Sequence, residues 1–188
     1  MKHFNGVVYH GSNAVFDKFD DKKARLANDF YGGGIAYFTD SKSVGESYAR
    51  TMTKKYSGLS TLYEVKLTIT QLFDVDADFT GQNLLNLLPN DVETFARSAG
   101  LLNFGSNKYK VLLDLKKGNI TLTGNQIFKG LSAGQKNTAV TRDFLIKNKY
   151  DGLRYNGGQN MGMATTHNVY LAYYAKQIKI DQITHLVK

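Results

Sequence analysis

Gly34-Ile35-Ala36-Tyr37-Phe38-Thr39-Asp40-Ser41-Lys42-Ser43-Val44-Gly45-Glu46-Ser47-Tyr48-Ala49 is the stretch on which the fold turns. Its period changes in the middle. Residues 35–39 form an apolar and aromatic run of strand length. At Asp40-Ser41 the pattern switches to helical spacing. Both side chains can accept from the free N–H groups of a first helical turn, so the pair predicts a cap for a helix running to about residue 53. Val44, Tyr48 and Met52 then fall on one face.

Working outward, residues 7–9 make a short β segment that runs into His10-Gly11-Ser12, and residues 16–34 are polar, then glycine-rich, and predict a loop. Downstream, residues 62–69 alternate: Leu62, Glu64, Lys66 and Thr68 face one way, Tyr63, Val65, Leu67 and Ile69 the other. Residues 80–148 predict mainly helices. Segments 83–88 and 92–102 are separated by Pro89-Asn90-Asp91, a stop followed by a cap, and a further helix spans 138–148. Two last strands, 152–155 and 169–174, flank a loop at 156–168. Strands, then helices, then strands argue for an α+β fold and against a regular doubly wound sheet.

With 188 residues and 42% hydrophobic content, the chain suits one compact core. The absence of cysteine excludes disulfides, thiolate catalysis and cysteine-based zinc sites. One proline, Pro89, argues against a proline-rich linker. The net charge of +8 favours an anionic partner: nucleic acid, a nucleotide or an acidic protein. No apolar segment follows the basic start as a signal peptide would require. The longest apolar run, 169–175, is far short of the roughly 20 residues that span a bilayer. These features predict a chain acting in a reducing cytoplasm, its own or a host's, without a membrane partner.

Several signatures fail on inspection. Asp74-Val75-Asp76-Ala77-Asp78 begins like a calcium loop, but Phe79 and Leu85 stand where glycine and glutamate are required, so a solvated acidic turn is expected. Gly32-Gly33-Gly34 leads into a strand and is no dinucleotide fingerprint. His3, His10, His167 and His185 are scattered, with no helical pair to hold zinc, and no metal site is expected. Gly130-Leu131-Ser132-Ala133-Gly134 matches a hydrolase nucleophile elbow on paper. Its flanks are a poor buried strand and a poor helix opening. The lysine pairs at 22–23, 54–55 and 116–117 are too short for a nucleic-acid groove and fit a solvated face.

Three separated segments fit together. The first is Tyr9-His10-Gly11-Ser12. The second is the opening stretch, with Tyr37 and Tyr48 eleven residues apart. The third combines Tyr150-Asp151-Gly152-Leu153-Arg154-Tyr155 with Asn168-Val169-Tyr170-Leu171-Ala172-Tyr173-Tyr174 and Gln177-Ile178. Together they resemble the diphtheria-toxin-like (PARP-type) ADP-ribosyltransferases, above all the small versions in phage and bacterial polyproteins. The resemblance covers residues 7–75 and 138–180. It implies a single transferase domain over 1–188, built on a split β-sheet with flanking helices and a helical insertion at about 80–137. It also implies NAD+ as co-substrate. His10 would bond the nicotinamide ribose, the Gly11 backbone would clamp the carboxamide beside Ser12, and Tyr37 and Tyr48 would sandwich the ring. His10 and Tyr37 would then be the catalytic pair. A side chain at Gly11 would block the backbone's approach. Nicotinamide leaves through an oxocarbenium-like ion, so such a site works by positioning and charge stabilisation.

The sequence departs from the pattern in two places. Gly45 stands where the family often has a serine, and Val169 where many members carry a glutamate; valine can neither accept a proton nor bond a hydroxyl. Gln159, Asn160, His167 and Asn168 are the polar residues that could substitute. Members without that glutamate are typically mono-ADP-ribosyltransferases or inactive. The resemblance therefore implies transfer of single ADP-ribose units to a host macromolecule, most plausibly a protein, by a phage or bacterial effector. A catalytically silent binding module and modification of nucleic acid stay open beside it. So do plainer readings: His10 as an ordinary strand-end histidine, Tyr37 and Tyr48 as core aromatics, Asp151-Gly152 as a structural turn and Arg154 as a surface residue.

Overall fold

A computed structural model describes residues 2–23, 31, 33–133, 138–160 and 166–187. Two compact units emerge, one of Met1–Arg25, Gly34–Leu72 and Asp151–Lys188, the other of Leu26–Gly33 and Phe73–Tyr150. The fold class is α+β, as the order of patterns predicts.

The first unit is built on a six-stranded sheet. Its strands are β1 (Lys2–Ser12), β2 (Tyr37–Thr39), β3 (Thr61–Asp74), β6 (Gly152–Asn156), β7 (Asn168–Ala172) and β8 (Ile178–His185). The order is β1-β2-β7-β6-β3-β8, and β1 also pairs with β3, so the pairings β1–β2–β7–β6–β3–β1 close on themselves. Antiparallel β1 and β3 match from Phe4↔Ile69 to Ser12↔Thr61, whereas β1 and β2 meet only at Tyr9↔Thr39. β2 is otherwise held by β7, from Tyr37↔Leu171 to Thr39↔Val169.

The alternation expected for β3 is realised. Tyr63, Val65, Leu67 and Ile69 are all fully buried, and with Val8, Phe38 and Tyr170 they form the core of the unit. Each such side chain contributes about 1.5–3 kcal/mol relative to exposure. Helix α1 (Lys42–Tyr56) follows β2 and is capped by Ser41, whose side chain accepts from Val44 N. Its buried residues are Gly45 and Ala49, while Tyr48 and Met52, on the face read from the spacing, line a cleft. The reason is close approach. A Cβ on Gly11 would lie 2.2 Å from Gly45 O and 2.6 Å from Ala49 N, so the helix rests on β1 backbone to backbone.

Strand β8 is not among the two last strands expected. Its apolar positions Ile178, Ile180 and Ile183 break strict alternation because the β3–β8 register shifts between Glu64 and Val65. Asp151 is structural, as the turn reading has it: its carboxylate accepts from Thr70 N, Thr70 Oγ1 and Gln71 N at 2.6–3.1 Å.

The second unit is mainly helical, as predicted for 80–148. It holds α2 (Gly81–Leu85), α3 (Val92–Ser98), α4 (Lys108–Lys117), α5 (Gly124–Leu131) and α6 (Thr138–Lys147), with a two-stranded pair of β4 (Asp78–Phe79) and β5 (Leu122–Thr123). Asp91 caps α3 as predicted, accepting from Thr94 N at 3.0 Å. Leu84, Phe95, Leu115, Ile127, Phe128 and Leu145 are buried. Tyr31 meets Phe128 edge-on at 5.1 Å, and burial, then the charge of Asp76, pushes its phenol up to about 12. Asp74 is buried, not solvated as expected. Its Oδ1 accepts from Asp76 N, which fixes the acidic turn from within.

Candidate active site

The five residues singled out as a site come together. His10, Gly11, Ser12, Tyr37 and Tyr48 line one cleft of about 180 Å³ in the sheet-based unit. Alternation along β1 sends Tyr9 and Gly11 toward α1, and Val8 and His10 toward the aromatic core. β1 reaches the cleft at its C-terminal end. β2 brings Tyr37 from the side, and one turn of α1 beyond Gly45 brings Tyr48, which stays half exposed.

His10 is held in a defined state. Its Nδ1 lies 2.9 Å from the Tyr37 carbonyl oxygen. A carbonyl only accepts, so Nδ1 carries the proton and donates it; in the neutral ring Nε2 is then an acceptor. That bond ties the first sequence segment to the second. The imidazole also packs among Phe16, Phe19, Phe38 and Tyr63, with centroids 5.5–6.2 Å away. Phe16 stacks on Tyr63 at 4.2 Å, and the Tyr63 hydroxyl accepts from Phe16 N and donates to Ala14 O. Burial pushes the Tyr63 phenol up against the opposing effect of the Phe16 N–H, so the group stays a neutral donor. The chain after β1 is thereby pinned over the core.

The glycines have packing reasons of their own. Gly11 is required by α1, whatever else its backbone does. A Cβ on Gly45 would lie 2.9 Å from Leu62 Cδ1 and 3.1 Å from Tyr9 Cβ, so position 45 points into the strand packing and not into the cleft. A serine there would be buried against leucine. Ser12 Oγ accepts from Ala14 N in a local turn.

The third segment behaves differently. Val169 is buried, and neither it, Asn168 nor His167 lines the cleft. A Cβ on Gly157 would come within 2.6 Å of Val169 Cγ2 and 2.5 Å of His167 Nε2, so both side chains pack on α7 (Gly157–Asn160). Asn168 donates from its backbone N and its side-chain amide to the two oxygens of Asp40, at 2.9 and 2.6 Å. Its Oδ1 accepts from Arg154 Nε at 2.9 Å. Arg154 is thus half-buried and bonded, not a free surface residue. The side chains of Gln159 and Asn160, like Gly32 and Gly134, lie outside the described residues.

Other cleft residues escaped the sequence reading: Asn13, Phe16, Lys18, Phe19, Asp20 and Met52. All but Met52 follow β1. The available signal was a pair of phenylalanines, Phe16 and Phe19, inside an otherwise charged stretch. Lys18, Phe19 and Asp20 also wall a second, more open depression of about 340 Å³, with Asp21, Lys22 and Ala175. Among the described residues no group of three His, Asp or Glu side chains could hold a metal. None of the described helices is long and apolar enough to cross a membrane.

A family model described as ADP-ribosyltransferase in polyvalent proteins matches residues 5–184. The chain belongs to that family. ADP-ribosyltransferases use NAD+ as substrate, and the cleft lies inside the matched region, as do all three sequence segments. Neither the curated proteins nor the solved structures give a significant match. In this member of the family the hydrolase reading of Ser132 falls on geometry. The segment before the serine is helix α5, not a strand, and Ser132 is fully buried with its Oγ bonded to Lys129 O.

Proposed function

We propose that the chain cleaves the nicotinamide–ribose bond of NAD+ and transfers single ADP-ribose units to a host macromolecule, a protein, as a phage- or bacterium-encoded effector working in the host cytoplasm. One observation carries this reading: His10-Gly11-Ser12, Tyr37 and Tyr48, from three separated places in the sequence, line a single cleft. With Nδ1 committed to Tyr37 O, His10 Nε2 is suited to accept from a ribose hydroxyl. The faces of Tyr37 and Tyr48 suit a flat, electron-poor ring. The Gly11 backbone offers an N–H and a C=O to a carboxamide.

The helices between β3 and β6 support reading about 80–137 as an insertion within one domain, 1–188. Exposed Phe104 and Tyr109 make that insertion a candidate for selecting the target. The +8 charge suits both the pyrophosphate of NAD+ and an acidic acceptor.

A second reading rests on Val169. If no carboxylate serves the reaction, the same cleft belongs to a silent module that binds NAD+ without turnover. Incubation with labelled NAD+ and host lysate separates the two, with mass spectrometry of the adducts. Label on protein that resists nuclease and is lost in His10→Ala and Tyr37→Ala supports transfer to protein. Nuclease-sensitive label moves the acceptor to nucleic acid. Binding by calorimetry with neither label nor nicotinamide release leaves the silent module.

A further inference from the structure

Departure of nicotinamide leaves positive charge on the ribose carbon, and a nearby carboxylate stabilises that charge more than any neutral group can. The start of β7 supplies none: Val169 is apolar and buried, and Asn168 is bound to Asp40 and Arg154. Among the described residues lining the cleft, one carboxylate occurs, Asp20. It also lines the second depression, so it stands where the ring cleft meets a more open approach.

Asp20 is held in place from both sides. The preceding residue, Phe19, meets the His10 ring edge-on at 5.5 Å and Phe38 at 5.4 Å. The following residue, Asp21, accepts from Ala175 N at 2.6 Å, at the end of the segment that follows β7. Asp20 Oδ1 accepts from Lys22 N at 2.9 Å and closes a local turn, which fixes the carboxylate on the backbone that lines the cleft. Held this way, the carboxylate is fixed before substrate arrives, as electrostatic stabilisation demands.

We propose that Asp20 is the catalytic carboxylate of this cleft, and that the second depression beside it admits the acceptor. The assignment rests on the transferase reading above. The bond from ribose carbon to nicotinamide nitrogen breaks, and its electron pair leaves with the ring as neutral nicotinamide. Asp20 faces the resulting cation. The acceptor's lone pair forms the new bond to the ribose carbon, and the acceptor's proton passes to Asp20 and then to water.

Asp20→Asn is the decisive variant, because an asparagine Oδ1 still accepts from Lys22 N and preserves the turn while removing the charge. Nicotinamide release from NAD+ is measured for the parent, Asp20→Asn and Asp20→Glu, with NAD+ binding followed by calorimetry. The expected result is a kcat loss of about 100-fold in Asp20→Asn, with KM and affinity within about threefold of the parent and part of the rate restored in Asp20→Glu. A parent that turns over and an Asp20→Asn variant that matches it overturn the assignment and leave the transferase reading standing. Loss of affinity equal to loss of rate also overturns it, since it marks a binding role. A parent that binds NAD+ without cleaving it overturns both.

Discussion

Two strand ends carry the sequence segments that resemble the transferases, and they are used in opposite ways. At the end of β1, His10 and Ser12 border the cleft, and Gly11 lets the α1 backbone close over it. At the start of β7, Asn168 is spent on Asp40 and Arg154, and Val169 packs against Gly157. One end lines the cleft; the other holds β2, β6 and β7 together. Resemblance along the sequence therefore does not transfer function evenly. What decides is which face of the strand a position takes and whether its polar atoms are already bonded.

The sharpest way to break this contrast is at Gly11. A methyl group there has backbone on two sides, so neither neighbour can move aside cheaply. Gly11→Ala is expected to cost about 3 kcal/mol or more, measured by denaturant unfolding, as strand and helix are forced apart. Stability within experimental error of the parent would mean that α1 does not rest on β1 as described.

Val169→Glu tests the other end directly. A carboxyl group placed in the packing beside Gly157 is expected to destabilise by about 2–3 kcal/mol and to leave nicotinamide release no faster. A faster, stable variant would show that position 169 serves the cleft after all. Next in size is Asn168→Ala, which removes the side-chain donor to Asp40 and the acceptor of Arg154 Nε while leaving the backbone N–H bond to Asp40 in place. It should lower stability by about 2 kcal/mol with His10 and Tyr37 undisturbed, as read by histidine and tyrosine NMR signals.

Tyr48→Ala should have the smallest effect on folding. The side chain is half exposed, so stability should change by less than about 0.5 kcal/mol. NAD+ affinity should fall by up to roughly tenfold, the worth of one lost ring contact, measured by calorimetry. Unchanged affinity would remove Tyr48 from the site.

Much of the architecture was legible because it is written in local period. The switch at Asp40-Ser41 predicts β2 and α1, and strict alternation predicts β3. What stayed hidden has physical reasons. The bulge between Glu64 and Val65 shifts the parity of β8, so its isoleucines do not alternate. The docking face of α1 was not legible because pattern reading weights large residues, while this helix docks through Gly45 and Ala49. The first half of β1, from Lys2, is mixed in polarity because much of it is exposed. In the cleft, His10, Tyr37 and Tyr48 were legible through the resemblance of their motifs to the transferase family. Asp20 was not, since a charged stretch without period reads as loop until the aromatic pair beside it is seen to pack on His10.

The way β2 is held has a consequence for when the protein can work. Three residues long, β2 shares one pair with β1 and three with β7. Tyr37 therefore waits for residues that leave the ribosome more than a hundred positions later. Such distant pairing is slow to form and comes after local helices. During synthesis His10 exists long before Tyr37 has a strand to sit on. The cleft is complete only once β7 has paired with β2.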